Sequence, residues 1–498
     1  MPEKLIFEKS VSGRRGVTLP TESLEGVSPE QFVPKSSLRQ TSLDLPEVSE
    51  NELMRHYTRL SQENYGVDTG FYPLGSCTMK YNPKINEDVA RLPGFAEIHP
   101  LQPEETVQGA LALLYDLEQM LAEISGMAAV SLQPVAGAQG EMVGMLITRA
   151  YHRAAGRQRQ TVLIPDSAHG TNPASAHLAG YTIQTVKSNR EGIIDLDDLA
   201  KMINEETAAL MLTNPNTLGL FERQIGEVAK IVHDAGALLY FDGANMNALL
   251  GLARAGDMGF DIIHFNLHKT FSTPHGGGGP GAGPVGVAPA LMPYLPSPVI
   301  SKNEKGYMLD YKRPQSIGRV HGFYGNFGIL VRAYTYIRRH GAAGLSAISR
   351  GTIINANYLK KLLRKDYAIP MSRPCMHEFI LSAKKFREQD IHAWDIAKRL
   401  IDYGFYPPTV NFPLIIEEAL MIEAPESEAK ETLDTFAEAM HQIRLEIDSD
   451  PELLKSAPRT RKVGRMNEVQ AARKLDVRYE VNMLKENNGN LSKPNGEQ

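Results

Sequence analysis

The middle of the chain, from about residue 116 to 290, alternates short apolar runs with longer segments in which apolar residues recur at helical spacing. This pattern is typical of βαβ units and predicts a mostly parallel sheet. Each apolar run ends in polar residues or in Gly and Pro, and ligands of open α/β sheets bind at that carboxyl end of the strands. The runs predict strands at 128–132, 161–164, 208–212, 237–241 and 262–267.

The segments on either side of this region have different patterns. The N-terminal part is rich in Pro and polar residues and predicts an irregular arm with short helices. After the sheet, a helical stretch at 327–339 and an amphipathic one at 427–443 predict a smaller α+β domain. The last residues offer almost no apolar surface and are expected to be disordered. We therefore predict an arm at 1–115, a large α/β domain at 116–330, a small domain at 331–484 and a tail at 485–498.

The amino-acid composition of the chain argues against several classes of function. Of the 498 residues, 42% are apolar and 22% are charged, and a net charge of -5 gives no long-range attraction for nucleic acid. No apolar run approaches the roughly 18 residues of a membrane span, and the first residues lack the apolar core of a secretory signal, so we expect a cytoplasmic protein. Cys77 and Cys375 are too few for a disulfide framework or a four-thiolate zinc site, and we predict no metal site.

A lysine follows the last predicted strand of this region. The apolar segment 261–267 delivers Lys269 into a polar turn, and four glycines follow at 276–279. Such a lysine lies beside a ligand and can form a Schiff base once desolvation or neighbouring cations lower its pKa. The alternative is a surface lysine at a strand end.

An aspartate ends the preceding predicted strand. Asp242 follows the apolar residues Leu238 to Phe241 and precedes Gly243. A carboxylate at this edge suits pyridoxal phosphate, whose pyridine nitrogen needs a negative partner so that the ring stays protonated and accepts electrons. The alternative is an aspartate that caps a following helix.

Two further turns bring polar groups to the same edge. Gly137, Ala138 and Gln139 form a small-residue turn at a helix start, where free N–H groups and the helix dipole favour a phosphate. His169 follows the second strand and is a candidate to stack on the cofactor ring, the alternative being a hydrogen-bonded loop histidine. The segment 213–219 offers amide and hydroxyl groups for the cofactor or the substrate, the alternative being a plain turn.

The order of these features along successive strands is more specific than any one of them. An anion turn, an imidazole, an Asn/Thr turn, an aspartate and a lysine in this order resemble the large domain of fold-type I pyridoxal phosphate enzymes. Longer segments resemble the glycine cleavage P-protein more closely, over about residues 50–480. The matching segments are 72–83, 136–141, 167–176 and 268–271.

The resemblance implies a fold, a cofactor and a site. The expected fold is a fold-type I α/β domain with a mostly parallel seven-stranded sheet, plus a smaller C-terminal α+β domain, and the expected cofactor is pyridoxal phosphate. The expected catalytic residues are Lys269, His169 and Asp242. The expected cofactor-binding residues are Lys269, Asp242, His169, Gly137, Ala138, Gln139, Thr171, Asn214, Asn216, Thr217, Asn266 and His268.

The resemblance also implies a reaction and partners. P-proteins occur as one long chain of two homologous halves or as two subunits, of which one carries the cofactor lysine. This chain has the shorter length and Lys269, and it resembles subunit 2. We expect it to decarboxylate glycine, release CO2 and pass the aminomethyl group to the lipoyl group of the H-protein, with two copies each of this chain and a lysine-less subunit 1. At 423–428 the chain departs locally from the family's Glu-Pro-Thr.

Two other functions stay open from the sequence. An aminotransferase or another amino-acid decarboxylase of this fold would keep Lys269 and Asp242 but need no lipoyl protein. A non-catalytic scaffolding subunit would need neither residue, and the lysine-bearing segment argues against it. Arg373 is a candidate contact for the substrate carboxylate, the alternative being a solvated surface arginine.

Overall fold

The computed structural model describes two compact units separately. One unit is formed by residues 1–65 and 458–498, and the other by residues 66–457. The residues that the structure describes are 3–17, 28–41 and 43–478.

The secondary structure of the described residues is mixed. Among the described helices, none combines the length and apolar content needed to cross a membrane. The α-helices are α1 Glu50–Glu63, α2 Lys84–Ala90, α3 Pro93–Ala96, α4 Gln108–Ser125, α5 Gly137–Ala154, α6 Thr171–Leu178, α7 Leu196–Met202, α8 Ile225–Asp234, α9 Phe327–Leu363, α10 Ala393–Asp402, α11 Lys430–Ser449, α12 Glu452–Lys455 and α13 Glu468–Arg473. The strands are β1 Ala129–Ser131, β2 Thr161–Pro165, β3 Thr182–Val186, β4 Thr207–Thr213, β5 Leu238–Gly243, β6 Ile262–Phe265, β7 Val285–Val287, β8 Val299–Asn303, β9 Gly306–Asp310, β10 Glu378–Ser382, β11 Thr409–Val410 and β12 Ala419–Glu423.

The first unit contains helices α1 and α13 and short 3-10 turns. Helix α1 begins after Ser49, whose N–H donates to the Glu52 carboxylate at 3.3 Å and so satisfies a free backbone donor at the helix start. The predicted tail at 485–498 lies outside the described residues. The predicted domain boundaries stay a prediction.

The large sheet of the second unit has the order β1-β7-β6-β5-β4-β2-β3. Strand β7 pairs antiparallel with β1 and β6, whereas the neighbouring pairs from β6 to β3 are parallel. The prediction of a mostly parallel seven-stranded sheet is therefore confirmed. Helix α5 packs closely on this sheet, because a Cβ at Gly144 would lie 2.4 Å from Tyr240 Cε2.

The five predicted strands are confirmed to within two residues at each end, as β1, β2, β4, β5 and β6. Two strands of the large sheet, β3 and β7, were not predicted. Strand β3 lies at the sheet edge and is mostly exposed, so its polar sequence lacks an apolar run. Strand β7 has only three residues and lies between Gly and Pro residues. Edge strands and very short strands carry a weak hydrophobic signal because little of their surface is buried.

The C-terminal part of the second unit has a small antiparallel sheet in the order β10-β12-β11. The predicted helical stretches are confirmed: α9 covers 327–339 and continues to Leu363 beyond a non-helical Gly341, and α11 overlaps 427–443. The inner faces of α9, α10, α11 and the small sheet share one apolar core. Phe379, Leu420 and Phe436 are among its fully buried members.

A segment near the start of the second unit extends this small sheet locally. Leu74 forms a bridge to Ile422 of β12, and the N–H of Gly75 donates to Met421 O at 3.2 Å. A Cβ at position 75 would lie 2.1 Å from Met421 Cγ, so only glycine allows this approach. The residues after Gly75 are thereby held between the small sheet and the carboxyl edge of the large one.

Candidate functional site

A cleft opens at the carboxyl edge of the large sheet. Lys269 follows β6, and Asp242 is the penultimate residue of β5. Thr213 ends β4, and His169 follows β2. The ends of adjacent parallel strands meet at one edge, which is where this fold class binds ligands. The residues that line the cleft are Ser76, His169, Thr213, Pro215, Thr217, Asp242, Ala244, Asn245, Lys269, His377 and Glu378.

Lys269 lies inside this cleft rather than in solvent. Lys269 is only 8% exposed, and its Nζ donates to the carbonyl oxygen of Ser76 at 2.7 Å. The turn that carries it is closed by the Lys269 N–H, which donates to Asn266 O at 3.0 Å. The alternative of a surface lysine is therefore wrong.

Asp242 is buried and surrounded by donors. Oδ2 accepts from Thr213 Oγ1 at 3.2 Å, and Oδ1 accepts from the Ala244 N–H at 3.1 Å. Burial by itself raises the pKa of this carboxyl, but His264, His169, the Ala244 N–H and Lys269 together lower the pKa below its usual value. Asp242 is therefore ionised at neutral pH. The helix-cap alternative is wrong, because the next α-helix in the described part of the chain is α9.

His264 of β6 is the cross-strand partner of Asp242 of β5. Its Nδ1 is 2.7 Å from the Tyr240 hydroxyl, and its Nε2 is 3.5 Å from Asp242 Oδ1. Burial lowers the pKa of this imidazole to about 4, so it is neutral at pH 7. His264 belongs to the lysine-bearing segment, but its sequence position alone predicted no role for it.

A second buried carboxyl joins His169 to helix α5. Glu141 accepts from Thr171 Oγ1 at 2.7 Å and from Ser175 Oγ at 2.9 Å, and His169 Nδ1 lies 2.8 Å from the same Thr171 oxygen. Burial and the nearby Asp242 charge raise the pKa of Glu141. Of the two buried carboxyls, Asp242 therefore carries the negative charge and Glu141 holds a proton more readily.

The predicted anion turn lies at the start of α5. A Cβ at Gly137 would be 2.2 Å from Asn266 Oδ1, so the turn and the Asn266 side chain approach as closely as glycine permits. Asn266 Oδ1 is buried and has no hydrogen-bond partner among the described residues. The Gln139 side chain instead holds the turn: Oε1 accepts from Val135 N and Nε2 donates to Val320 O, each at 2.8 Å.

In the predicted Asn/Thr turn, both asparagine side chains form hydrogen bonds to the backbone of their own chain. Asn216 donates to Gly192 O at 2.7 Å and accepts the N–H groups of the next turn, and Asn214 Oδ1 accepts the Glu222 N–H at 3.0 Å. Thr217 lines the cleft and donates to Ser167 O at 2.8 Å. The structure thus brings Thr217 to the cleft but uses the two asparagine side chains within the turn.

Two other predicted contacts lie outside the lining of this cleft. Burial and the Lys269 charge lower the pKa of His268 to about 4, and its Nδ1 accepts the Ala282 N–H at 3.4 Å. Arg373 Nη1 lies 3.8 Å from Glu191 Oε2, so the guanidinium faces a carboxylate of its own chain.

The polar groups on the small-sheet side of the cleft were not predicted from the sequence. Ser76, His377 and Glu378 line the cleft on the side of the small sheet, and Asn245, which follows β5, lines it on the side of the large sheet. One signal could have identified them: β10 and β12 are apolar strands that each carry a single glutamate and are fully buried. A buried charged group in an apolar strand is rare without a functional or structural partner.

Comparison with known proteins identifies the family. The family model described as "Glycine dehydrogenase, C-terminal domain" matches residues 348–458, and that described as "Aminotransferase class-V" matches residues 141–278. Proteins named "Probable glycine dehydrogenase (decarboxylating) subunit 2" are 58% identical in Exiguobacterium sibiricum and 57% in Caldanaerobacter subterraneus. These matches cover 96% and 95% of this chain and 97% and 98% of the relatives.

Solved structures agree on the fold. A crystal structure of a glycine decarboxylase (P-protein) of the glycine cleavage system, in inhibitor-bound form, superposes with a TM-score of 0.73 at 22% identity, covering 86% of this chain and 100% of that one. A cysteine desulfurase from Thermococcus onnurineus superposes with a TM-score of 0.60 at 16% identity, covering 76% and 95%. At these identities the structures show the shared fold, whereas the near-full-length relatives establish that the chain belongs to the glycine dehydrogenase (decarboxylating) subunit 2 family.

Proposed function

We propose that this chain is the pyridoxal phosphate-bearing subunit of a glycine dehydrogenase that decarboxylates glycine, releases CO2 and transfers the aminomethyl group to the lipoyl group of the H-protein. The observation that carries the proposal is the buried pair of Lys269 and Asp242 in one cleft of a chain from this family. The family depends on pyridoxal phosphate. When bound, this cofactor supplies an electron sink for the pair released as the carboxylate leaves.

The residues of the cleft fit this cofactor. Lys269 offers an amine for covalent attachment, and the ionised Asp242 is suited to keep the pyridine nitrogen protonated. The turn at Gly137 to Gln139 offers helix N-terminal N–H groups for the phosphate, and the side-chain amide of Asn266 lies against this turn. We propose His169 as the ring-stacking group. Thr171 and Thr217 are proposed as polar contacts of the cofactor, and Ala138, Asn214, Asn216 and His268 as residues that shape the surrounding turns.

The chain's own groups prepare the cleft for a proton-dependent reaction. Lys269 is held by the Ser76 carbonyl until a ligand competes for it. Burial of Asp242 and Glu141 excludes water from the inner wall, which strengthens every electrostatic contact there.

The family membership also bears on partners. A subunit 2 of a glycine dehydrogenase implies a subunit 1 and glycine as substrate. We propose that two copies of each subunit assemble, and that lipoylated H-protein enters the cleft as the acceptor. A cytoplasmic location is part of the same proposal.

An exchange assay tests this function directly. The purified chain, loaded with pyridoxal phosphate and mixed with subunit 1 and lipoylated H-protein, should exchange 14C-bicarbonate into the glycine carboxyl group. An aminotransferase would convert glycine with a keto acid and need no lipoyl protein, and a scaffolding subunit would leave the exchange unchanged when Lys269 is removed. Exchange that proceeds equally well without lipoylated H-protein would contradict the proposal.

A further inference from the structure

Two glutamates face each other across the small sheet. Glu378 of β10 and Glu423 of β12 are directly opposite in the antiparallel register, and they are 2% and 1% exposed. A carboxylate oxygen of each lies within 4.8 Å of the other and of a ring nitrogen of His377. Two ionised carboxylates in this position would repel strongly, since directly opposed like charges are unfavourable and burial removes the screening by water.

The hydrogen bonds around the two carboxyls are unequal. Glu423 accepts from Thr78 Oγ1 at 2.6 Å, from Asn245 Nδ2 at 3.0 Å and from Asn247 Nδ2 at 3.1 Å. Among the described residues, Glu378 accepts one hydrogen bond, from the Ser76 N–H at 2.7 Å. Donors favour the ionised form of a carboxyl group, so the negative charge belongs on Glu423 and the proton on Glu378.

The electrostatics agree with this assignment. Burial and the opposing Glu423 raise the pKa of Glu378 well above its usual range. Burial raises the pKa of Glu423 to about 7, against the hydrogen bonds from Thr78 and Asn245 and the charges of Lys269 and Lys80, which lower it. The two groups therefore hold a shared proton near neutral pH, as close carboxyl pairs do in general.

The neighbouring titratable groups do not remove the need for this proton. His377 lies 3.6 Å from Glu378 Oε1, but burial lowers the pKa of its imidazole to about 3, so it is neutral. Lys80 is paired with Glu426 at 2.8 Å. Lys269 donates to the Ser76 carbonyl, and the N–H of the same Ser76 donates to Glu378. Because Glu378 lines the cleft beside Lys269, its proton is within reach of a bound reactant.

When its bonds and electrons are balanced, the proposed reaction takes up one proton. The bond between the glycine α carbon and its carboxylate breaks, CO2 leaves, and the electron pair ends in a new bond from that carbon to one lipoyl sulfur. The S–S bond breaks, its electron pair stays on the second sulfur, and this sulfur takes a proton to become a thiol. The glycine carbons are oxidised and the disulfide is reduced, so a proton donor in the cleft is the only further reactant.

We propose that Glu378, sharing a proton with Glu423, is the acid that protonates the leaving lipoyl sulfur. This proposal rests on the proposed function of the chain. Asp242 is unsuited to the role because it is ionised, and Glu141 is directed to Thr171 and Ser175. Glu423 is a positioning residue, whose charge keeps the proton on Glu378.

The first test is an infrared measurement on the holoenzyme that does not depend on turnover. Wild-type protein at neutral pH should show C=O stretching bands of protonated carboxyl groups, and Glu378→Gln should remove one of them. Glu118→Gln is the matched control: Glu118 is also buried, burial raises its pKa to about 8, and Tyr324 donates to it outside the cleft lining. The control should likewise lose one band.

The second test measures CO2 release from glycine with subunit 1 and lipoylated H-protein. Glu378→Gln should lower the rate on the order of a hundredfold, the usual contribution of general acid catalysis, while glycine still shifts the cofactor absorbance at the same concentration. Glu118→Gln should keep the wild-type rate. A Glu378→Gln protein that keeps its carboxyl band, or loses the band but keeps the rate, would overturn the proposal.

Glu423→Gln gives an independent readout if Glu378→Gln does not fold. Removing the opposing negative charge lowers the pKa of Glu378, so the decline of activity at high pH should begin at lower pH than in the wild type. An unmoved pH profile would overturn the proposal. Wild-type protein without exchange would instead contradict the proposed function, while the infrared result would still report whether Glu378 holds the proton.

Discussion

Lys269 Nζ lies 2.7 Å from the carbonyl oxygen of Ser76, a residue 193 positions earlier in the chain. Ser76 has a backbone φ of 64°, a left-handed conformation that is uncommon for a residue other than glycine. Its N–H donates to Glu378 of the small sheet, so one strained residue joins the cofactor lysine to the carboxyl pair. The site is therefore built from the large sheet, the small sheet and the segment around Ser76, which pairs with the small sheet.

Lys269→Ala should abolish the covalent cofactor link and the bicarbonate exchange. The fold should remain, because the loss of the hydrogen bond to Ser76 costs only about 1 kcal/mol of unfolding free energy. Borohydride reduction followed by peptide mapping measures the link, and circular dichroism follows the fold. The exposed Lys187→Ala is the control and should retain both link and exchange. Reduced cofactor on any other lysine would refute the assignment.

Asp242→Asn should still bind cofactor but lose at least about a hundredfold in exchange rate, because a neutral amide cannot hold the pyridinium proton. The Ala244 N–H can keep the amide oxygen in place while the Thr213 hydroxyl turns to accept from the amide NH2, so the change is electrostatic rather than structural. Asp234→Asn, on the exposed end of α8, is the control. Near-normal turnover in Asp242→Asn would mean that another group protonates the ring.

Acid should destabilise the protein in part through His264. Its pKa is about 4 in the folded chain and about 6.5 in the unfolded chain. Above about pH 6.5 the imidazole is neutral in both states and the free energy of unfolding does not depend on it, whereas this free energy decreases as the pH falls toward 4. Between about pH 7.5 and 5 this amounts to roughly 2 kcal/mol. Urea unfolding of His264→Gln should show a smaller decrease over that interval. The exposed His177→Gln should show the wild-type decrease, and equal slopes in all three proteins would disprove the linkage.

This chain alone should show little glycine decarboxylation, and activity should appear when subunit 1 is added. Its family membership as a subunit 2 is the reason for this expectation. Titrating subunit 1 into the purified chain, with glycine and lipoylated H-protein present, measures the dependence. The Lys269→Ala chain serves as control and should stay inactive at every ratio. Full activity from a homo-oligomer of this chain would contradict the two-subunit proposal.

The large sheet was predictable because its central strands are buried on both faces. Strands such as β4 and β5 therefore read as continuous apolar runs, and the polar residue that ends each run marks the ligand-binding edge. Lys269, Asp242 and His169 were found in this way. The edge strand β3 was not predicted, because most of its side chains face solvent and its sequence has no apolar run.

The sequence by itself thus determined the family, the large fold and the residues that follow its strands, since these depend on local periodicity and on long matching segments. Only the tertiary structure decided what surrounds them. The pairing of Glu378 with Glu423, and the approach of Ser76 to Lys269, join segments far apart in the chain. No local pattern encodes such pairings, because register and burial arise only when the two sheets close around one cleft.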